Sequence, residues 1–345
     1  MITAGSRVIR YWACPRQALA VSMLAAAGLV VGCTASHPAG SQPRPSSPTP
    51  SPAGASASPG SANVGRVVAQ ISVGNYPDRV VTGFGSLWTA NLYSDSVSRV
   101  DPATRRVTAT ISVPNGPISL LAADGAIWSA DYDGTTVTRI DPATNRVTGT
   151  IRVGSKPASL AIAGGVLWVF NQGDDTASVV NPHTLRVTKT VHIGIAAGNV
   201  VVHGGLLWVP DFQGGSRKLL ALDPGTGKAV RTVRVGSMPV EVGFGFGSGW
   251  VGNGPDDTVT RFDPATGAVL HTITTPEDAG GLVVSHGAVW VASYLGDTLL
   301  KISPATNSII GTVRLATEPN GIVPLHGYLW VAESGANELA VVRPS

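Results

Sequence analysis

The chain has 345 residues, 43% of them hydrophobic and 13% charged, with 24 Lys and Arg against 21 Asp and Glu. Two cysteines exclude a disulfide-dense scaffold, and a formal net charge of +3 excludes a strong nucleic-acid backbone binder, which needs a clustered basic surface. Even that charge is local: Arg7, Arg10 and Arg16 stand before residue 33 with no acidic residue among them, so the remainder balances at 21 basic and 21 acidic.

Those arginines precede an apolar run over 18–31, which is too short to cross a bilayer as a helix and reads as the core of a signal peptide. The run closes on Leu29, Val30, Val31, Gly32 and Cys33, which resembles the lipobox of bacterial lipoproteins. The resemblance implies cleavage before Cys33, a diacylglycerol on its sulfur, and export to the outer face of the bacterial cytoplasmic membrane. An ordinary secretory peptide cut elsewhere is the alternative. Cys14 would leave with the leader, so no disulfide would remain. Residues 34–62 are Ser, Pro, Ala and Gly without apolar periodicity, and are expected to form a disordered tether. The expected division is a leader over 1–32, lipidated Cys33 plus tether over 33–65, and one folded domain over 66–345.

That domain is a repeat. Trp88, Trp128, Trp168, Trp208, Trp250, Trp290 and Trp330 follow one another at steps of 40 residues, with one step of 42. The unit over 118–153 shows the plan. An apolar run at 118–123 meets a turn at Asp124 and Gly125, and a short strand carries Trp128. A third strand at 137–141 ends in Asp-Pro-Ala-Thr-Asn, and a fourth occupies 147–153. No segment has helical spacing. Four short antiparallel strands per unit describe a propeller blade, with the tryptophans filling the wedges between blades. The Asp-Pro turn recurs with Asp, Asn or Ser first, and its fifth residue is Asn145, Gly227, Gly267 or Asn307 in four copies. Arg105 and Leu185 depart from that rule and are either strained or part of a different turn.

Counting blades predicts closure. The copy holding Trp330 has three strands, and its missing fourth matches 67–73. The expected fold is therefore all-β: a seven-bladed propeller of four-stranded antiparallel blades, closed by the N-terminal strand completing the last blade.

Loops joining fourth to first and second to third strands should share the face where propellers usually hold ligands. The third residue after each tryptophan points there: Asn91, Asp131, Asn171, Asp211, Asn253, Ser293 and Glu333. These are either strand-end caps or an oxygen-lined funnel. Arg79, Asn199 and Glu241 start first strands at the channel mouth, with Tyr76, Tyr93, Tyr132, Phe212 and Tyr294 on nearby loops. The one length change, in 211–218, is either a recognition loop or drift. The seven histidines show no metal-ligand spacing, and no nucleophile elbow occurs.

The recurring text Asp-Pro-Ala-Thr, Val-x-x-Thr-Ile-x-Val-Gly and Gly-x-Leu-Trp-Val-Ala resembles bacterial YVTN and YncE-like propeller repeats, and is similar to virginiamycin B lyase-like propellers. The resemblance implies the same fold. For the lyase family it implies His and Glu at the mouth with bound magnesium. Glu333 matches the Glu position, whereas Asp78, Ile118, Ala158 and Asn320 stand where the histidine is expected. The reading reached is a lipid-anchored, non-enzymatic binding module acting through its channel-mouth face. The alternative is a metal-assisted lyase or hydrolase using Glu241, Glu333 and the Asp/Asn ring. No cofactor is expected, with Mg or Ca as the cation the ring would accept. The expected partner of this monomer is an extracellular ligand, a cell-envelope polymer or a protein. Nucleic acid is not expected, and membrane contact is expected through the lipid only.

Overall fold

The computed structural model describes residues 62–345; the leader, Cys33 and most of the tether lie outside the described residues. Seven four-stranded antiparallel sheets follow one another, here called blades 1 to 7. Blade 2 is the plain example, with strands Pro117–Ala123, Ala126–Asp131, Thr136–Asp141 and Arg146–Arg152. The first strand of every blade touches the first strands of both neighbours, including blade 7 with blade 1, so the first strands ring an axis.

Closure is made by the N-terminal segment. Gly65–Ser72 pairs antiparallel with Glu338–Pro344 and supplies the outer strand of blade 7. Just before it, Ala62–Asn63 pairs in parallel with the outer strand of blade 6. The segment thus straps two blades whose own strands lie more than 200 residues later, and it removes an open edge.

The core sits between blades. Each tryptophan belongs to a buried cluster shared by its own blade and the next, from Trp88 between blades 1 and 2 to Trp330 between blades 7 and 1. All seven indoles are at most 2% exposed. An indole burying roughly 200 Å² at about 25 cal/mol/Å² gains on the order of 5 kcal/mol before ordering costs. The indole N–H is also used: Trp88 donates to the Gly83 carbonyl at 3.0 Å and Trp128 to Ala123 at 3.2 Å.

A latch invisible in the repeat text joins blades on the opposite face. Arg99 sits across from Trp88 with its guanidinium 4.9 Å from the indole, and donates to the Pro142 carbonyl and Asn145 Oδ1 of the next blade's Asp-Pro turn. Arg261 repeats this with Trp250, Pro304 and Asn307. The turns also settle the two departures: Arg105 and Leu185 take the same left-handed backbone as Asn145, each with φ of 57°. The turn is the same, and the strain of about 1 kcal/mol per side chain stays in it.

Candidate functional site

The channel mouth is built at the starts of the first strands, where a bulge follows the inter-blade proline. In blade 1 the register slips between Pro77 and Arg79, which leaves Asp78 as the extra residue. In blade 7 the slip runs from Pro319 to Ile322 and holds Asn320. Bulges re-aim side chains, and here they bring residues of distant blades together. Arg79 Nη1 donates to Glu241 Oε2 at 2.8 Å, joining blade 1 to blade 5, two blades that are not neighbours in the ring. The two side chains are only 11% and 16% exposed. The same Glu241 oxygen accepts the Leu282 amide at 3.2 Å. Arg79 Nε lies 3.9 Å from Asp78 Oδ2, and Asn320 Nδ2 donates to Asp78 Oδ1 at 2.7 Å. Burial pushes the Asp78 carboxyl up to about 6; Arg79 and the Asn320 bond oppose the rise and Glu241 adds to it.

Glycine makes this crowding feasible. A Cβ on Gly281 would lie 2.0 Å from the Asn320 carbonyl, and one on Gly321 would lie 2.8 Å from the Asp78 carbonyl. Any larger residue at either place would force the first strands apart.

The aromatic rim forms one pair. Tyr76 and Tyr294 bring their hydroxyls to 2.7 Å, and Tyr93 packs against Tyr76 with ring centroids 4.7 Å apart. Burial, then the Asp78 charge, pushes the Tyr76 hydroxyl above the ordinary phenol range. Burial and then Tyr76 do the same for Tyr294, so both stay protonated.

Other expected site residues lie elsewhere. Tyr132 donates to Gln172 Oε1 at 2.9 Å, with the Lys156 ammonium 5.5 Å from its ring. Phe212 is buried; Asn199, by contrast, stays beside Glu241, to which it is joined by a parallel bridge, with its backbone N–H on the Val240 carbonyl at 3.0 Å. The funnel reading of the polar ring is corrected. Asn91, Asp131, Asp211, Asn253 and Glu333 are at most 2% exposed and bond inside their own blades. Asn91 donates to Ser96 and Ser98, and Asn253 to Thr258 and Thr260. Asp131 accepts from Ser129, Thr136 and Thr138, and Asp211 from Ser216. A short polar chain at a strand end bonds its neighbours' hydroxyls sooner than it reaches an axis. A signal for this was legible: each Asn of the ring in blades 1, 3 and 5 has a glycine 17 residues earlier, and a Cβ on Gly154 would meet the Asn171 amide at 2.6 Å. Asp78 and Asn320, which the sequence marks only as standing where the resemblance expects a histidine, join the site because the bulges after Pro77 and Pro319 aim them.

The magnesium implied by the lyase resemblance does not fit these residues. Glu333 Oε1 accepts the Ala316 amide at 2.7 Å, and Oε2 accepts Gln70 Nε2 from the outermost strand at 3.4 Å. Among the described residues, no three His, Cys, Asp or Glu side chains converge to hold a metal ion.

No protein-family model matches the chain, and no curated protein does. Solved structures do. A streptogramin B lyase structure is similar with a TM-score of 0.70 at 14% identity, covering 80% of this chain and 97% of that one. Selenomethionine-substituted virginiamycin B lyase from Staphylococcus aureus gives 0.70 at 11%, covering 80% and 99%. Hydrazine synthase of Kuenenia stuttgartiensis gives 0.68 at 13%, covering 85% and 99%. At these identities the likeness is one of fold alone, a seven-bladed propeller.

Proposed function

We propose that this chain is an exported, lipid-anchored propeller that binds an extracellular ligand, envelope polymer or protein at its channel mouth, without catalysis. The observation that carries the reading is the Arg79–Glu241 pair. It ties non-neighbouring blades across the mouth and commits Glu241, one of the carboxylates that the lyase alternative would use. A rigid mouth framed by an ion pair and a hydroxyl-bonded tyrosine pair offers fixed polar and aromatic contacts to a partner. The repeat text keeps the chain within reach of YVTN and YncE-like propellers, and the anchor rests on the lipobox-like end at Cys33.

The test is capture of partners from intact cells with the parent chain and with Arg79→Ala/Glu241→Ala, which removes both charges together. A partner held by the parent and lost by the variant supports the mouth as the binding face. Equal capture sinks it. For the anchor, Cys33→Ser should move the protein from the membrane fraction to the soluble one with an unchanged melting curve. A variant that resists extraction as the parent does overturns the lipid assignment.

A further inference from the structure

Blade 4 carries the only length change in the repeat, and it surrounds a cavity of about 620 Å³ at the blade's outer strands. Arg217, Lys218 and Arg234 line it, together with Gln213, Ser216 and Thr232. A second cavity of about 340 Å³ continues past the same Arg217 and Arg234 toward blade 5.

The pairing register makes this basic group unusual. Lys218 and Arg234 are direct cross-strand partners, the first residue of the third strand facing the last of the fourth. In the other blades this pair never holds two cations. Ser96 faces Ser112, Thr258 faces Thr274, and Thr176 faces His192. Thr136 faces Arg152, Thr298 faces Arg314, and Glu338 faces Ser72. Like charges directly opposite one another repel. The carboxylates nearby do not relieve them. Asp256 is bonded to Arg217 at 2.6 and 3.2 Å and also accepts the Ser237 amide. Asp211 is buried on the cavity wall, with its oxygens taken by Ser216 and Gln213. Among the described residues, neither Lys218 nor Arg234 forms an ion pair.

We propose that this groove is an anion-binding site, distinct from the channel mouth, for an extended ligand presenting phosphate or carboxylate groups. The Lys218 and Arg234 pair takes one oxyanion in the larger cavity. Arg234 lines both cavities and faces a second, while Arg217 beside it is held by Asp256, which also lines the smaller cavity. Arg supplies a planar fork that matches phosphate and carboxylate, and Lys a mobile point charge. Two adjoining cavities that share Arg217 and Arg234 fit several anionic groups in series rather than a single small ion.

The test titrates the full chain with tripolyphosphate, with trigalacturonate and with uncharged maltotriose, at low and at high salt. The expected result is binding of at least one anionic probe, weakened by salt as released counterions require, and none of maltotriose. Which anionic probe binds distinguishes a phosphate source from a carboxylate one. The variant Lys218→Ser/Arg234→Thr gives blade 4 a hydroxyl pair like those of blades 1 and 5, so it should melt at or above the parent temperature. It should bind at least tenfold more weakly. Failure of both anionic probes to bind the parent, or equal binding by the variant, overturns the proposal.

Discussion

Blades 2 and 4 occupy equivalent places in the same ring, yet they differ wherever the surface is concerned and agree wherever the core is. Blade 2 has strands of 7, 6, 6 and 7 residues, whereas blade 4 has 3, 5, 5 and 6. The inner strand of blade 4 frays because its chain is shared out: Asn199 bonds the Val240 carbonyl of blade 5, and the Val200 amide bonds Ser159 Oγ of blade 3. Ala197 stands where blades 1, 2, 3, 5 and 7 have proline. Against this, Trp128 and Trp208 are both at most 1% exposed, and both indoles donate to a carbonyl five residues back. The fold therefore tolerates a frayed strand and a longer loop so long as the wedge between blades is filled.

The harshest way to break this comparison is to open the ring that both blades share. A chain starting at Gly74 would leave the outer edge of blade 7 unpaired and should lose its cooperative melt and aggregate. A monomer melting like the parent would refute closure by 65–72. Next in size, Trp128→Ala and Trp208→Ala should each cost about 3–5 kcal/mol in denaturant unfolding, and by similar amounts. A large difference between the two would mean that the irregular strands of blade 4 reach its core after all.

A smaller effect separates the blades by pH. Burial pushes the Asp131 carboxyl of blade 2 up to about 7, against the opposing hydrogen bonds of Thr138, Thr136 and Ser129. A carboxyl raised in the folded state contributes stability that is present below about pH 4 and lost as pH rises through about 7. Asp78 acts in the same sense up to about pH 6. The parent should therefore melt higher at pH 5 than at pH 8. Asp131→Asn, which copies the ring residue of blades 1, 3 and 5, should raise stability at pH 8 by on the order of 2 kcal/mol and flatten part of that dependence. A variant less stable than the parent at pH 8 would show that the three hydroxyls favour the ionised carboxylate. The smallest effect is Lys218→Thr, which gives blade 4 the pairing of blade 2. Relief of the repulsion should add a few tenths of a kcal/mol at low salt and fade at high salt, read by thermal melts at two ionic strengths.

Much of this molecule is decided locally and so was legible in the residues. The spacing of the tryptophans sets the number of blades, because an indole can fill a wedge only once per sheet. The Asp-Pro turns close at short range through bonds such as Asp101 Oδ1 to the Ala103 amide. The match between 67–73 and the fourth strands pointed to the closing strand, since a β-branched run without a partner must find an edge. Membership of the site was decided only in three dimensions. Arg79 and Glu241 are 162 residues apart and meet because ring closure brings blades 1 and 5 around one axis. Asp78 and Asn320, 242 apart, meet because two bulges turn them toward each other. The polar ring read as facing the mouth instead turned inward. A side chain's direction depends on pleat and on the nearest hydroxyl, and neither is written in the spacing of one repeat. The opposed cations of blade 4 also needed the strand register, because a bulge between Ala221 and Leu222 sets which residue of the fourth strand Lys218 faces.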